Sequence, residues 1–197
     1  MATSTKARDA VLYAHWLKVP LMVDLKRPQF SLGLHGVRSV ALLHADGTRI
    51  NLWHYVPPAA FSGGQLPYQW PRQANETAPG EEEVMGDLLS LELEAIDEDE
   101  ALPAPEEADA EMHARYDDTL AGAARVVLLL HGNAGTRALA YRVEKARLLA
   151  AHFGAHVLSL DYRGFGDSTG APSEPGLVAD ARLVWDWVRG KLGGRPC

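Results

Sequence analysis

Two short runs constrain this 197-residue chain more than anything else in it: VVLLL at 126–130 and HVLSL at 156–160. The first, fully apolar and rich in β-branched residues, reads as a strand buried in a parallel sheet. The second reads as another strand. Between them Leu139, Val143, Ala146, Ala150 and Phe153 recur at helical spacing, and Gly154 stands where a helix C-terminal cap is expected. After the second run come the loop DYRGFGDSTGAPSEP and a further helical pattern, Leu177, Ala181, Val184 and Val188, with Pro175 at its first turn. The spacings predict helices over 137–152 and 176–190. Strand–helix alternation of this kind means an α/β fold built on a parallel sheet.

Upstream, VRSVALLH (37–44) and RINLWHYV (49–56) flank Ala45-Asp46-Gly47-Thr48, a strong hairpin signal, so an antiparallel hairpin precedes the parallel strands. Ile50, Leu52, His54 and Val56 share one face of its second strand, Asn51, Trp53 and Tyr55 the other. From 62 to 122 the pattern degrades. Prolines punctuate this stretch, and 16 of the chain's 26 acidic residues lie between Glu81 and Asp118 against one base, Arg115. A short helix is expected at 84–96, within an insertion that is otherwise solvated and largely disordered. Four segments result: a leader (1–36), the hairpin (37–61), the acidic insertion (62–122) and an α/β core (123–197).

The acidity belongs to that insertion; outside it 18 Lys and Arg face 10 Asp and Glu, scattered without forming a stripe, which argues against nucleic-acid binding. The single cysteine, Cys197, excludes an internal disulfide and a Cys-rich metal site. No run of about 18 apolar residues exists. His15 and Lys18 interrupt the apolar part of the leader, which is therefore not a signal peptide. Location stays open.

The candidate chemistry sits in the turn His131-Gly132-Asn133-Ala134-Gly135. A glycine-rich turn at the carboxyl end of a parallel strand presents backbone N–H groups, which suits an oxyanion or a phosphate. No GxxxxGK[ST] accompanies it, and Arg137 does not replace the P-loop lysine, so the phosphate reading is weak; the oxyanion reading is favoured by the resemblance given below. His131 is expected to bond nearby backbone and not to act as a base. In DYRGFGDSTG, Gly164, Gly166 and Gly170 miss the dinucleotide spacing by one residue. Ser168 lies in a GxSxG string, but the strand ends several residues earlier, and Pro172 and Pro175 prevent a helix from starting there. Ser168 is therefore expected to be a loop hydroxyl bonding backbone. His131, Asp161 and Ser168 also run in the reverse of the hydrolase order Ser–acid–His. The histidines show no metal-ligand spacing, and neither a metal nor a cofactor is expected.

HGNAGTR, VLSLDYRGFGDSTGAPSEPG and ARLVWDWV, with the leader pieces VDLKRPQ, GLHGVRS and DGTRINLWHYVP, resemble the α/β-hydrolase-domain lipases that cleave monoacylglycerols and lysophosphatidylserine. The resemblance covers roughly 15–75 and 123–195. It implies the N-terminal part of an α/β-hydrolase fold with strand order first, second, fourth, third, and a lipid ester as substrate. It also implies the Asn133 backbone N–H as one oxyanion-hole donor, with His131, Gly132, Ala134 and Gly135 shaping the turn. In that family the nucleophile, acid and histidine follow the second helix. None has a counterpart up to Cys197, so no catalytic side chain is assigned and the chain alone is expected to be inactive. The alternative is a non-catalytic interaction protein using the acidic segment. A weak interfacial membrane contact through Val11–Val23, and self-association through 126–130 as an edge strand, complete the expectations.

Overall fold

The structure, a computed structural model, describes residues 13–15, 17–20, 23–61 and 105–193. The segment 62–104, with the helix expected at 84–96, lies outside them. The hairpin forms as read: β1 (Val37–Leu43) pairs antiparallel with β2 (Arg49–Tyr55). β3 (Val126–Leu129) and β4 (His156–Asp161) are parallel partners. β2 also pairs antiparallel with β4, closing the order β1-β2-β4-β3 implied by the resemblance.

The alternation in β2 sorts its side chains into two cores. Trp53 and Tyr55 face a layer with Leu34, Val37, Val143, Ala146 and Ala150; Ile50 and Leu52 face one with Phe165, Val184, Val188 and Leu192. β2 and β4 are thus covered on both sides, and nearly every residue in them is buried. The chain carries α1 (Pro28–Leu32), α2 (Pro105–Ala121), α3 (Ala140–Phe153) and α4 (Glu174–Lys191), plus a 3-10 turn at Pro58–Phe61. α3 packs on the first layer and ends at Gly154, whose φ of +58° is the left-handed cap conformation. α4 packs on the second. Ser173 caps it by accepting from the Gly176 N–H at 3.3 Å, and Pro175 sits in its first turn.

The helix expected from 137 begins at Ala140, because Arg137 and its neighbours are drawn into the core. The described part of the leader bonds to the core. Leu17 and Val19 give their carbonyls to the turn after β3, and Leu25 gives its carbonyl to Trp53. Finally, the end of the stretch expected to be a disordered insertion is the helix α2. Its Tyr116 and Leu120 are buried, which supplies the apolar contact that an acidic composition conceals.

Candidate functional site: the turn after β3

β3 ends where the sheet delivers its carboxyl edge, and the chain there turns sharply. Ala134 and Gly135 both take positive φ, +64° and +68°. For alanine this conformation is strained by about 1–2 kcal/mol. At Gly135 a Cβ would push the Leu139 side chain aside and strain the backbone at φ +68°, which favours glycine.

The backbone N–H groups along the turn are committed one by one. Ala134 donates to Asn133 Oδ1 (2.9 Å), Gly135 to Leu17 O (3.1 Å), Thr136 to Val19 O (2.9 Å) and Arg137 to Asp161 Oδ1 (2.7 Å). Among the described residues no acceptor meets the Asn133 N–H, and Asn133 is exposed. The carbonyls are held as well: Arg142 donates to Thr136 O (3.0 Å) and Ala134 O (2.9 Å). The Asn133 amide, like that of Gly132 before it, therefore stays open on a turn whose following residues are fixed from two sides.

Beneath the turn lies a buried ion cluster. Arg137 is fully buried and donates through Nη1 to Asp161 Oδ2 (2.6 Å) and Asp167 Oδ1 (2.7 Å), and through Nη2 to Leu25 O (3.0 Å). Its guanidinium lies 5.1 Å from the Trp53 ring. Burial disfavours the charged guanidinium, but the two carboxylates overcome it and raise its pKa. Burial pushes the Asp161 carboxyl upward, and the adjoining guanidinium opposes that shift. Gly166 is part of this fit, since a Cβ there would fall 2.1 Å from Asp161 Oδ2.

His131 behaves as expected of a backbone-bonded histidine. Nδ1 donates to Gly132 O (2.6 Å), while Nε2 accepts from the Tyr162 N–H (3.4 Å) and lies 3.6 Å from Asp161 Oδ1. The ring packs edge-on against Tyr162 and Phe165, each 4.9 Å between centroids. Burial lowers its pKa and keeps it neutral. Gly132 is open to solvent, with nothing within 4 Å of a Cβ.

Ser168 is buried with its hydroxyl saturated. It donates to Asp161 O (2.7 Å) and accepts from the Asn51 N–H (2.8 Å), tying the loop to β2. It is not a nucleophile poised for attack. Asp161 and His131 do meet, but Ser168 is turned away from both, and Asp161 is given over to Arg137. Among the described residues no three His, Cys, Asp or Glu side chains gather as metal ligands. None of the described helices is long and apolar enough to cross a membrane.

Sequence reasoning missed the cluster itself. In the sequence Arg137 offers itself only as a phosphate ligand, and Asp161 only as a decoy triad member. A second buried carboxylate, Asp180, occupies an inward position of α4 and pairs with Arg163 at 2.7 Å. The one available signal was its spacing, four residues after Gly176 and four before Val184 on the inward stripe.

Residues 125–196 match the family described as alpha/beta hydrolase fold. The chain is also similar to lysophosphatidylserine lipase ABHD12 of Mus musculus, with 30% identity over 94% of this chain and 35% of that protein. The Gallus gallus protein of the same name gives 31% over 94% and 37%. Protein ABHD12B of Homo sapiens gives 29% over 95% and 39%. The chain thus spans a little over a third of the length of the curated relatives it matches.

Proposed function

Since the chain has the α/β-hydrolase fold, its four strands forming the N-terminal part of that sheet, we propose that it supplies half of the oxyanion hole of a serine-dependent lipid esterase. The donor is the Asn133 backbone N–H, and His131, Gly132, Ala134 and Gly135 give the turn its shape. The observation that carries this reading is where the bonded amides begin: the four after Asn133 all have acceptors, while Asn133, like Gly132 before it, is exposed at the carboxyl edge of the sheet with no acceptor among the described residues.

In this role the amide meets the negative charge that develops on the ester carbonyl oxygen when a serine adds to it. A fixed donor of this kind stabilises the transition state by about 3–4 kcal/mol. The relatives' printed name suggests the acyl ester of lysophosphatidylserine as substrate, and the resemblance of the sequence motifs adds monoacylglycerol. In this reading neither Ser168 nor His131 supplies the attacking group or its base, since both are used structurally.

The test has two arms. The 197-residue chain is treated with a fluorophosphonate probe and should remain unlabelled. In an active esterase that contains this chain, Asn133→Ala should keep much of the activity and Asn133→Pro should lose it about 100-fold or more, by deleting the donor. Labelling abolished by Ser168→Ala, or equal loss in both Asn133 variants, would overturn the reading.

A further inference from the structure

A second concentration of buried titratable groups lies beneath α2, at the amino ends of β3 and β4, away from the turn. Arg38 on β1, His54 on β2 and His156 on β4 are all buried and form a hydrogen-bonded chain. Arg38 Nε donates to His54 Nδ1 at 3.2 Å, and His54 Nε2 meets His156 Nδ1 at 2.9 Å.

The directions in this chain are fixed by chemistry. An arginine Nε can only donate, so His54 Nδ1 must accept. The His54 proton then sits on Nε2 and is donated to His156 Nδ1, which must in turn be bare. Both rings are neutral, each as a single tautomer. A proton added to His54 would set two N–H groups facing each other at Arg38. One added to His156 would do the same between the rings.

α2 is the lid over this chain. Tyr116 stands edge-on to the His54 ring at 6.0 Å. Arg38 donates to His113 O (2.7 Å), bonds Asp117 and lies 5.3 Å from the Tyr116 ring. Lys191 on α4 reaches Asp117 from the other side at 2.6 Å, and Trp187 flanks Arg38 at 6.0 Å. The charged and titratable groups around the pair are therefore Arg38, His113, Tyr116, Asp117 and Lys191, with Asp118 on the cleft that His156 also lines.

We propose that the Arg38–His54–His156 chain, together with Asp117, latches α2 to the sheet, and that proton uptake by the two imidazoles releases the helix in mildly acidic water. Docking α2 seals the pair from water, and undocking lets both rings take protons. Burial, then the Arg38 charge, hold His54 well below its ordinary value; the same causes bring His156 down to about 4. For groups lowered in the docked state, stability falls as pH drops from the free value of about 6.5 toward the docked one. Asp117 does not reverse this. Burial opposes its ionisation, but the Lys191 and Arg38 hydrogen bonds prevail and lower its pKa, so its contribution is lost only in stronger acid. Release also removes Met112 and Tyr116 from one wall of an apolar cavity of 410 Å³ lined on the other side by Leu34 and Val37.

The experiment is amide hydrogen exchange on the 197-residue chain at pH 7 and pH 5, corrected for the intrinsic rate. With both rings neutral while docked, the undocked fraction rises about 20-fold per histidine and roughly 500-fold for the pair. Exchange should accelerate by that order within 110–121 and not within β4 or α3. In His54→Gln/His156→Gln the acceleration should vanish; if the double variant does not fold, His156→Gln alone should reduce it to about 20-fold. Unchanged protection of α2 at pH 5, equal acceleration in β4 and α3, or full acceleration in the variants would each overturn the latch.

Discussion

Replacing Arg137 with methionine is the most demanding test of the cluster beneath the turn. The substitution keeps much of the side-chain volume but removes a guanidinium that is wholly buried and bonded to Asp161, Asp167 and the Leu25 carbonyl. Asp161, itself inaccessible to solvent, then loses its cation while keeping the Arg137 backbone N–H. Breaking a buried pair from one side destabilises by about 3–5 kcal/mol, because the remaining charge is desolvated and uncompensated. That is a large part of the roughly 5–15 kcal/mol stability of an ordinary domain. The loss should depend on pH with a definite sign. Burial already raises the folded Asp161 carboxyl above its unfolded value, and without the opposing guanidinium it rises further. The variant therefore gains stability as pH falls from 7 toward 5, narrowing its deficit against the parent. Urea unfolding followed by tryptophan fluorescence at both pH values measures this, with Trp53 5.1 Å from the altered side chain as reporter. A deficit below about 1 kcal/mol, or one that does not narrow in acid, would refute the account of Arg137 as the counter-charge of Asp161.

Two further outcomes follow from the backbone and the sheet. Ala134→Gly should raise stability by up to about 1 kcal/mol, because glycine relieves the positive φ, offset in part by its greater freedom when unfolded; thermal melting checks it, and a lower midpoint would contradict the strain. β3 is an edge strand among the described residues, half-covered and uncharged, so the chain should self-associate at micromolar concentration; a monodisperse monomer in light scattering would contradict this.

The strands, the hairpin, the end of α3 and the start of α4 were legible because each rests on a local signal: apolar runs, Asp46-Gly47, Gly154, Pro175. The hidden parts depend on partners far along the chain. Arg137 and Arg163 look in sequence like surface cations, and only the fold brings Asp161 and Asp180 to them. The helix start moved from 137 to 140 for the same reason, since the Arg137 N–H serves Asp161 and not a helix. Met112, Tyr116 and Leu120 recur every four residues, a helical stripe that was present but outweighed by the surrounding acid charge. The backbone-bonded state of His131 was readable because Nδ1 finds its acceptor in the next residue, Gly132; Ser168 was readable as a backbone-bonding loop hydroxyl, though one partner, the Asn51 N–H, lies far off on β2.

The leader's bonds to the turn carry a consequence for synthesis on the ribosome. Leu17 and Val19 wait for the amides of Gly135 and Thr136, nearly 120 residues later in the chain. At roughly 5–20 residues per second the leader emerges about 6–24 s before its partners exist. Through that interval its carbonyls are satisfied by water or by other proteins. The hairpin β1–β2 can close early, but the turn with its free amide is set only when both ends of this span have met. A nascent chain stalled between Tyr55 and Val126 therefore holds β1 and β2 and lacks the turn altogether.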